Sequence, residues 1–284
     1  MPDAVLTDIT DEEFQAFRSL VYKSTGLYLK EGKRALLRSR LMKRLRHHGY
    51  QNFALYYQHL QRDDPSGTEL QEMINAVTTH KTSFFREPHH FEYFRDELLL
   101  PAQAAGTSRT LRVWSAGCSS GEEPYTIAIT IADSLQRLAS WDVKILASDI
   151  DTDVIDKARR GIYPSEAVSE LSPALVKRHF LRGKDNYAGF VRVKPELSRL
   201  VTFMRVNLLE ESWGFRGQFD AIFCRNVMIY FERDLQHKLL KHFARYVKPG
   251  GLFFAGHSEN LFWASDLLEP VGRTVYRVRQ AGVR

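Results

Sequence analysis

Residues 113–125 read VWSAGCSSGEEPY. The apolar run Leu111–Ala116 predicts a short strand, which breaks into Gly117-x-x-x-Gly121; an Ile- and Ala-rich helix is expected from Pro124 to Leu138. Glycines let the chain turn tightly and let a ligand approach the backbone at the carboxyl edge of a sheet. The next strand, Val143–Ser148, ends in Asp149, an acid placed to hold the two hydroxyls of a ribose. G-x-G-x-x-G is absent, and no basic residue lies between Gly117 and Tyr125 to meet a pyrophosphate. Glu122 and Glu123 would repel phosphates, which tilts the ligand from NAD towards S-adenosylmethionine, with its sulfonium and ammonium groups. Acids in a first helical turn also complement the helix dipole, so the two glutamates alone do not decide this.

Downstream, a helix over 153–160, a strand over Phe219–Cys224, a helix over about 233–247 and a strand over Leu252–Ala255 continue the alternation; a last strand is expected over Val271–Val278. Strands alternating with helices imply a parallel sheet with crossover connections. Residues 183–206 interrupt the pattern and predict a small β insertion. The stretch FDAIFCRNVMIYF, residues 219–231, reads as a buried strand that breaks at Arg225-Asn226, beside the glycine turn. It lacks the Asn-Pro-Pro-Tyr type of motif with which enzymes that methylate nucleic-acid amines hold their nucleophile.

Upstream the chain reads as helices. Thr10-x-x-Glu13 is a capping box, Gly26 stops that helix, and a second helix is expected from about 32 to 48. Leu37, Leu41 and Leu45 form its apolar stripe, with Lys33, Arg40, Arg44 and His47 alongside. Short helices follow from Asn52 and from Thr68. Between the two halves lies TTHKTSFFR, residues 78–86, a domain-docking segment whose phenylalanines anchor it and whose Arg86 is expected to point to the ligand or to a carboxylate.

The charge is localised. Over 284 residues the net formal charge is +6, yet Lys30–Arg46 alone carries +7, so the rest of the chain sums to −1. One basic element is a partner signal rather than the mark of a generally basic protein. Cys118 and Cys224 are too few for a disulfide framework, and no His/Cys cluster has zinc spacing. No run of 18 apolar residues and no leader-like start are seen, so a soluble cytoplasmic protein, inserted in no membrane, is expected.

The ordered stretches TTHKTSFFRE, VWSAGCSSGEEPYTIAI, ASDIDTDVIDKARRGIY, VNLL, FDAIFCRNVMIYF and GGLFFAGHSEN resemble the chemotaxis receptor methyltransferases from about Thr78 to the C-terminus. The resemblance implies a class I (Rossmann-like) S-adenosylmethionine-dependent α/β domain with a small β subdomain, behind an all-α N-terminal domain. It divides the chain into helical residues 1–78, a linker over 79–92 and a catalytic domain over 93–284. It implies cofactor contacts at His80 (where the family usually has Asn), Thr82, Arg86, Glu123, Asp149, Asn207, Leu208, Arg225 and Asn226. Arg86 and Tyr230 are its candidates to orient a substrate carboxylate, and Lys33, Arg40, Arg44 and His47 its docking face. The implied substrate is glutamate on the cytoplasmic helices of a chemoreceptor, methylated by a monomer. In some members the β subdomain binds a tethering peptide at the receptor's C-terminus. An RNA methyltransferase using the same basic helix, and a non-catalytic S-adenosylmethionine-binding scaffold, stand as alternatives; no nucleic-acid partner is expected.

Overall fold

The capping box at Thr10 starts the first helix: Thr10 Oγ1 accepts from Glu13 N and Glu13 Oε2 accepts from Thr10 N at 2.9 Å. A computed structural model describes residues 8–106 and 109–279; residues 1–7, read above for a leader, and 107–108 lie outside them. Helices α1 (Asp11–Thr25), α2 (Arg34–His48), α3 (Phe53–Arg62) and α4 (Thr68–Val77) close around Phe14, Phe17, Leu41, Leu45, Phe53 and Tyr56, all fully buried. The α2 leucines face inward as their spacing requires. After the linker, α5 (His89–Phe94) passes through a π-helical stretch (Arg95–Leu99) into α6 (Leu100–Ala105).

The α/β part then runs β1 (Thr110–Ala116), α7 (Glu122–Ser134), β2 (Asp142–Asp149), α8 (Thr152–Arg160), β3 (Ile162–Pro164), α9 (Pro173–His179), β4 (Phe180–Arg182) and β5 (Phe190–Val193). It continues with α10 (Pro195–Ser198), β6 (Val201–Arg205), β7 (Phe219–Cys224), α11 (Arg233–Tyr246), β8 (Val247–Ala255), β9 (Leu268–Gly272) and β10 (Val275–Val278). Seven strands form one sheet in the order β6-β2-β1-β7-β8-β10-β9, parallel from β6 to β8 and antiparallel through β10 and β9. Alternation across β1 sends Val113 to the α7 side and Trp114 to the α11 side, so the sheet is covered on both faces. That layering puts the carboxyl ends of β1, β2 and β7 at one edge, where the order reverses direction and ligands bind.

Three boundaries differ from the sequence reading. The small sheet is β3-β5-β4, spanning 162–193 rather than 183–206, and β6 is an edge strand of the main sheet paired Ile145↔Val201. Short strands look alike locally; the register with β2 decides which sheet β6 joins. The last strand is a hairpin, β9 and β10, turning at Arg273-Thr274. The glycine-turn helix begins at Glu122 and ends at Ser134, not at Leu138.

Candidate active site

A cavity of about 500 Å³ lies at the sheet edge, between the α/β layers and the helical domain. It falls within the roughly 300–1,000 Å³ typical of small-molecule sites. His80, Thr82, Arg86, Glu123, Asp149, Asn207, Leu208, Arg225, Asn226 and Tyr230 all line it, and so does Lys33.

The glycine turn fixes its floor. Gly117 has φ +84°, and a Cβ there would stand 2.3 Å from Val227 Cγ2. Gly121, at φ +99°, lies so close to α8 and Tyr163 that a Cβ would meet Ala158 Cβ and Tyr163 Oη at 2.8 Å. Gly117 N and Cys118 N both donate to Ser148 O at 2.8 Å, which ties β1's turn to the end of β2. Asp149 accepts from Ser119 N at 2.8 Å and Asp151 N at 3.1 Å, and its burial pushes the carboxyl up. A carboxylate has about four acceptor positions, so two remain for hydroxyls.

Glu123 and Arg225 are partners of each other. Arg225 Nη1 donates to Glu123 Oε2 at 2.9 Å, and Ser115 Oγ donates to Glu123 Oε1 at 2.7 Å. Burial pushes the Glu123 carboxyl up, opposed by Arg225 and by that hydroxyl. Arg225 is 5% exposed, sits over the Phe91 ring, reaches Arg86 O through Nη2, and pairs with Glu87 Oε2 at 3.2 Å. Its Nε is buried without a hydrogen-bond partner, a donor that an acceptor on a ligand would satisfy.

Two carboxylates to which the sequence reading gave no role hold this corner. Glu87 accepts from His257 N at 3.1 Å and contacts Arg225 and Asn226; Glu259, 4% exposed, accepts from Asn226 N at 2.8 Å, Ile229 N at 3.2 Å and Gly256 N. Asn226 is held at φ +61°, and a Cβ on Gly256 would stand 2.3 Å from its side-chain nitrogen. Both acids sit inside the quoted stretches SFFRE and GHSEN, but only the fold reveals what they hold.

The helical domain closes the other wall. Tyr28 N donates to Tyr230 O at 2.9 Å, Tyr22 Oη donates to Glu232 Oε2 at 2.9 Å, and Asn207 Nδ2 donates to Ser24 O at 2.7 Å. Asn207 Oδ1 accepts from Leu209 N, so its side chain bonds to the protein at both its oxygen and its nitrogen, and Asn207 and Leu208 line the cavity. His80 Nε2 lies 2.7 Å from both Asp151 Oδ2 and Thr78 Oγ1. Asp151 is held below the usual carboxylate range: burial works the other way, and bonds from His80, Val154 N and Thr78 prevail.

The expected docking stripe splits. Lys33 and His47 are exposed, but Arg40 and Arg44 are turned inward. Arg44 pairs with Glu69 and Glu72, while Arg40 donates to Val77 O, Thr78 O and Thr79 Oγ1. A stripe drawn on an isolated helix does not show that α4 packs against one edge of it. Arg34 and Arg38 likewise pair with Asp11, Glu31 and Asp8. Among the described residues no cluster of His, Cys, Asp or Glu suits a metal ion, and no helix is long and apolar enough to cross a membrane.

Comparison with known proteins gives this cavity its family. Residues 80–277 match the model of the CheR methyltransferase S-adenosylmethionine-binding domain, and residues 12–78 match that of the CheR methyltransferase all-alpha domain. The chain is similar to Chemotaxis protein methyltransferase 2 of Pseudomonas aeruginosa, 49% identical over 94% of this chain and 93% of that one. It is also similar to the Chemotaxis protein methyltransferases of Escherichia coli (44% identical, covering 94% and 91%) and Salmonella typhimurium (45%, covering 94% and 90%). The cavity size, the ribose-suited Asp149 and the unpartnered Arg225 donor fit the cofactor that the family model names. The chain belongs to the CheR family of S-adenosylmethionine-dependent chemotaxis methyltransferases.

Proposed function

We propose that this enzyme esterifies glutamate side chains on the cytoplasmic helices of chemoreceptors, forming methyl glutamate for chemotactic adaptation. The observation that carries the reading is the convergence of Arg86, Tyr230 and the cofactor-site residues on one cavity whose rim is cationic and apolar. S-adenosylmethionine, when bound, supplies the electrophilic sulfonium methyl. A substrate glutamate is already ionised at neutral pH, so the protein has no strong base to provide. What it provides is placement of one carboxylate oxygen in line with the methyl group.

Arg86 Nη1 donates to Lys81 O at 2.7 Å, which anchors the side chain and leaves other guanidinium donors for a carboxylate. Its partial exposure limits the pairing strength, and this matters because a tight ground-state ion pair would slow transfer. Tyr230 is held from behind by Tyr28 and by the Glu259-pinned turn, and so supplies the second orienting group. Asp149, Glu123, Arg225, Asn226, Thr82, His80, Asn207 and Leu208 hold the cofactor.

The rim supports a helical, acidic substrate. Lys30, Lys33 and Lys81 are exposed beside Tyr28 (40%), Leu36 (37%) and Ile229 (48%), so cations and apolar side chains flank one opening. Lys43 and Arg46 extend the cationic surface along α2, with the exposed His47 beside them. On the small sheet, Leu181, Tyr187 and Phe190 are exposed and suit a receptor C-terminal peptide. The reading places the enzyme in the cytoplasm as a monomer.

The test uses S-adenosylmethionine labelled in its methyl group, offered with a receptor cytoplasmic fragment or with RNA. Base-labile label on the receptor fragment is expected. Label on RNA, or none on either, overturns the assignment, as does normal turnover in both Arg86→Ala and Tyr230→Phe.

A further inference from the structure

Arg40 belongs to the basic helix, yet its guanidinium points into the protein. Nη1 donates to Val77 O at 2.6 Å and also to Thr78 O, and Nη2 donates to Thr79 Oγ1 at 3.4 Å. Val77 is the last residue of α4 and Thr78 its C-cap, so Arg40 takes up carbonyls that a helix end leaves without partners. A cation at a helix C-terminus is also favoured by the dipole.

The capped segment is the start of the linker. Thr78 Oγ1 lies 3.0 Å from Asp151 Oδ2 and 2.7 Å from His80 Nε2, while Ser119 Oγ donates to His80 O at 3.3 Å. Asp151 N in turn donates to Asp149. Val77 through Ser83, with Arg86, contribute lining to the cavity, and Arg40 does not line it. Arg40 therefore bonds to the carbonyls of Val77 and Thr78 and to the Thr79 hydroxyl, where the linker starts.

We propose that Arg40 is a positioning residue for the cofactor: by capping α4 it sets the direction in which the chain leaves towards His80, Thr82 and Arg86. It acts through the linker, without touching cofactor or substrate. The role differs from receptor docking, which the exposed cations of the same helix serve. A cation that fixes backbone carbonyls should influence ligand affinity even when no protein substrate is present; a docking cation should not.

Calorimetric titration of the full chain with S-adenosylmethionine alone separates the two. Arg40→Ala is expected to weaken binding about tenfold, the size expected for losing hydrogen bonds to a charged group. Arg40→Lys should recover most of the affinity, because an ammonium can still donate to both carbonyls. Lys43→Ala and Arg46→Ala should bind S-adenosylmethionine as the wild type does. Thermal unfolding confirms that each protein is folded at the titration temperature. If Arg40→Ala does not fold, Arg40→Lys and Arg40→Gln carry the test, with affinity falling from Arg to Lys to Gln. Wild-type affinity in every folded Arg40 variant overturns the proposal, and a raised KM for receptor fragment alone would return Arg40 to the docking face. No receptor enters the titration, so its outcome is independent of the glutamate assignment.

Discussion

Glu69→Gln should loosen the basic helix from the domain that carries it. The Glu69 carboxylate accepts from Arg44 Nε at 2.9 Å and Tyr56 Oη at 2.6 Å, and His48 Nε2 lies 2.7 Å away. Burial alone would raise this carboxyl, but the bonds from Arg44, Tyr56 and His48 outweigh it and bring the pKa from 4.5 down to about 2. At about 1.4 kcal/mol per unit, that difference corresponds to at most about 3.5 kcal/mol. Water at the edge formed by His48 and the half-buried Glu72 screens part of it, which leaves about 2 kcal/mol. Because the folded-state value lies below the unfolded one, the stabilisation is complete above about pH 4.5 and declines as pH falls towards about 2. Glutamine keeps the shape and removes the charge, so Arg44 is left against a neutral amide. All four tryptophans, Trp114, Trp141, Trp213 and Trp263, lie in the α/β part, so fluorescence is blind to this change. Peptide-resolved hydrogen exchange of α2 and α4 is the suitable assay. At pH 7 the variant should lose about 2 kcal/mol of protection there, and the gap to the wild type should close as pH drops through 4. Equal protection at pH 7, or a gap that does not vary with pH, would refute the assignment of Glu69 as the charge that seats α2.

The remaining predictions concern the cavity. Gly117→Ala forces a Cβ against Val227 at φ +84°, and S-adenosylmethionine should bind about tenfold more weakly, the equivalent of one to two kcal/mol of strain; adding Val227→Ala should restore part of the affinity, since it relieves the overlap but not the backbone angle, and titration calorimetry reads both. Glu259→Ala leaves the backbone amides of Gly256, Asn226 and Ile229, the first of them buried, without their acceptor, so methyl transfer should fall by more than about tenfold with a lower Tm, and Glu259→Gln should fall between Glu259→Ala and the wild type. Raising salt from about 50 to 300 mM should increase the KM for receptor fragment several-fold, because exposed charges are screened over a shorter distance. The Kd for S-adenosylmethionine should hold constant across that range, and a matching rise would place the salt effect in the cavity rather than on the rim.

What the sequence disclosed and what it withheld divide along one physical line. The strand–glycine turn–helix of residues 113–125 is legible because each of its features is local: an apolar run, two glycines at positive φ, acids in a first turn. A parallel sheet then carries Asp149 and Arg225 to the same edge as that turn, so residues up to 102 apart meet without any pairwise information. Partners chosen by packing leave no such trace. Arg44 meets Glu69 25 positions away, and Asn207 meets Ser24 183 positions away, because α4 and α1 happen to lie against them. The basic segment shows the consequence most plainly. Its +7 counts Arg34, Arg38, Arg40 and Arg44 as equals of Lys30, Lys33, Lys43 and Arg46. In the fold the first four face acids or carbonyls of the protein itself, and the other four are exposed. Half of these cations are therefore engaged by the helical domain's own acids or by the carbonyls at the start of the linker, and only the other half present unengaged charge at the surface.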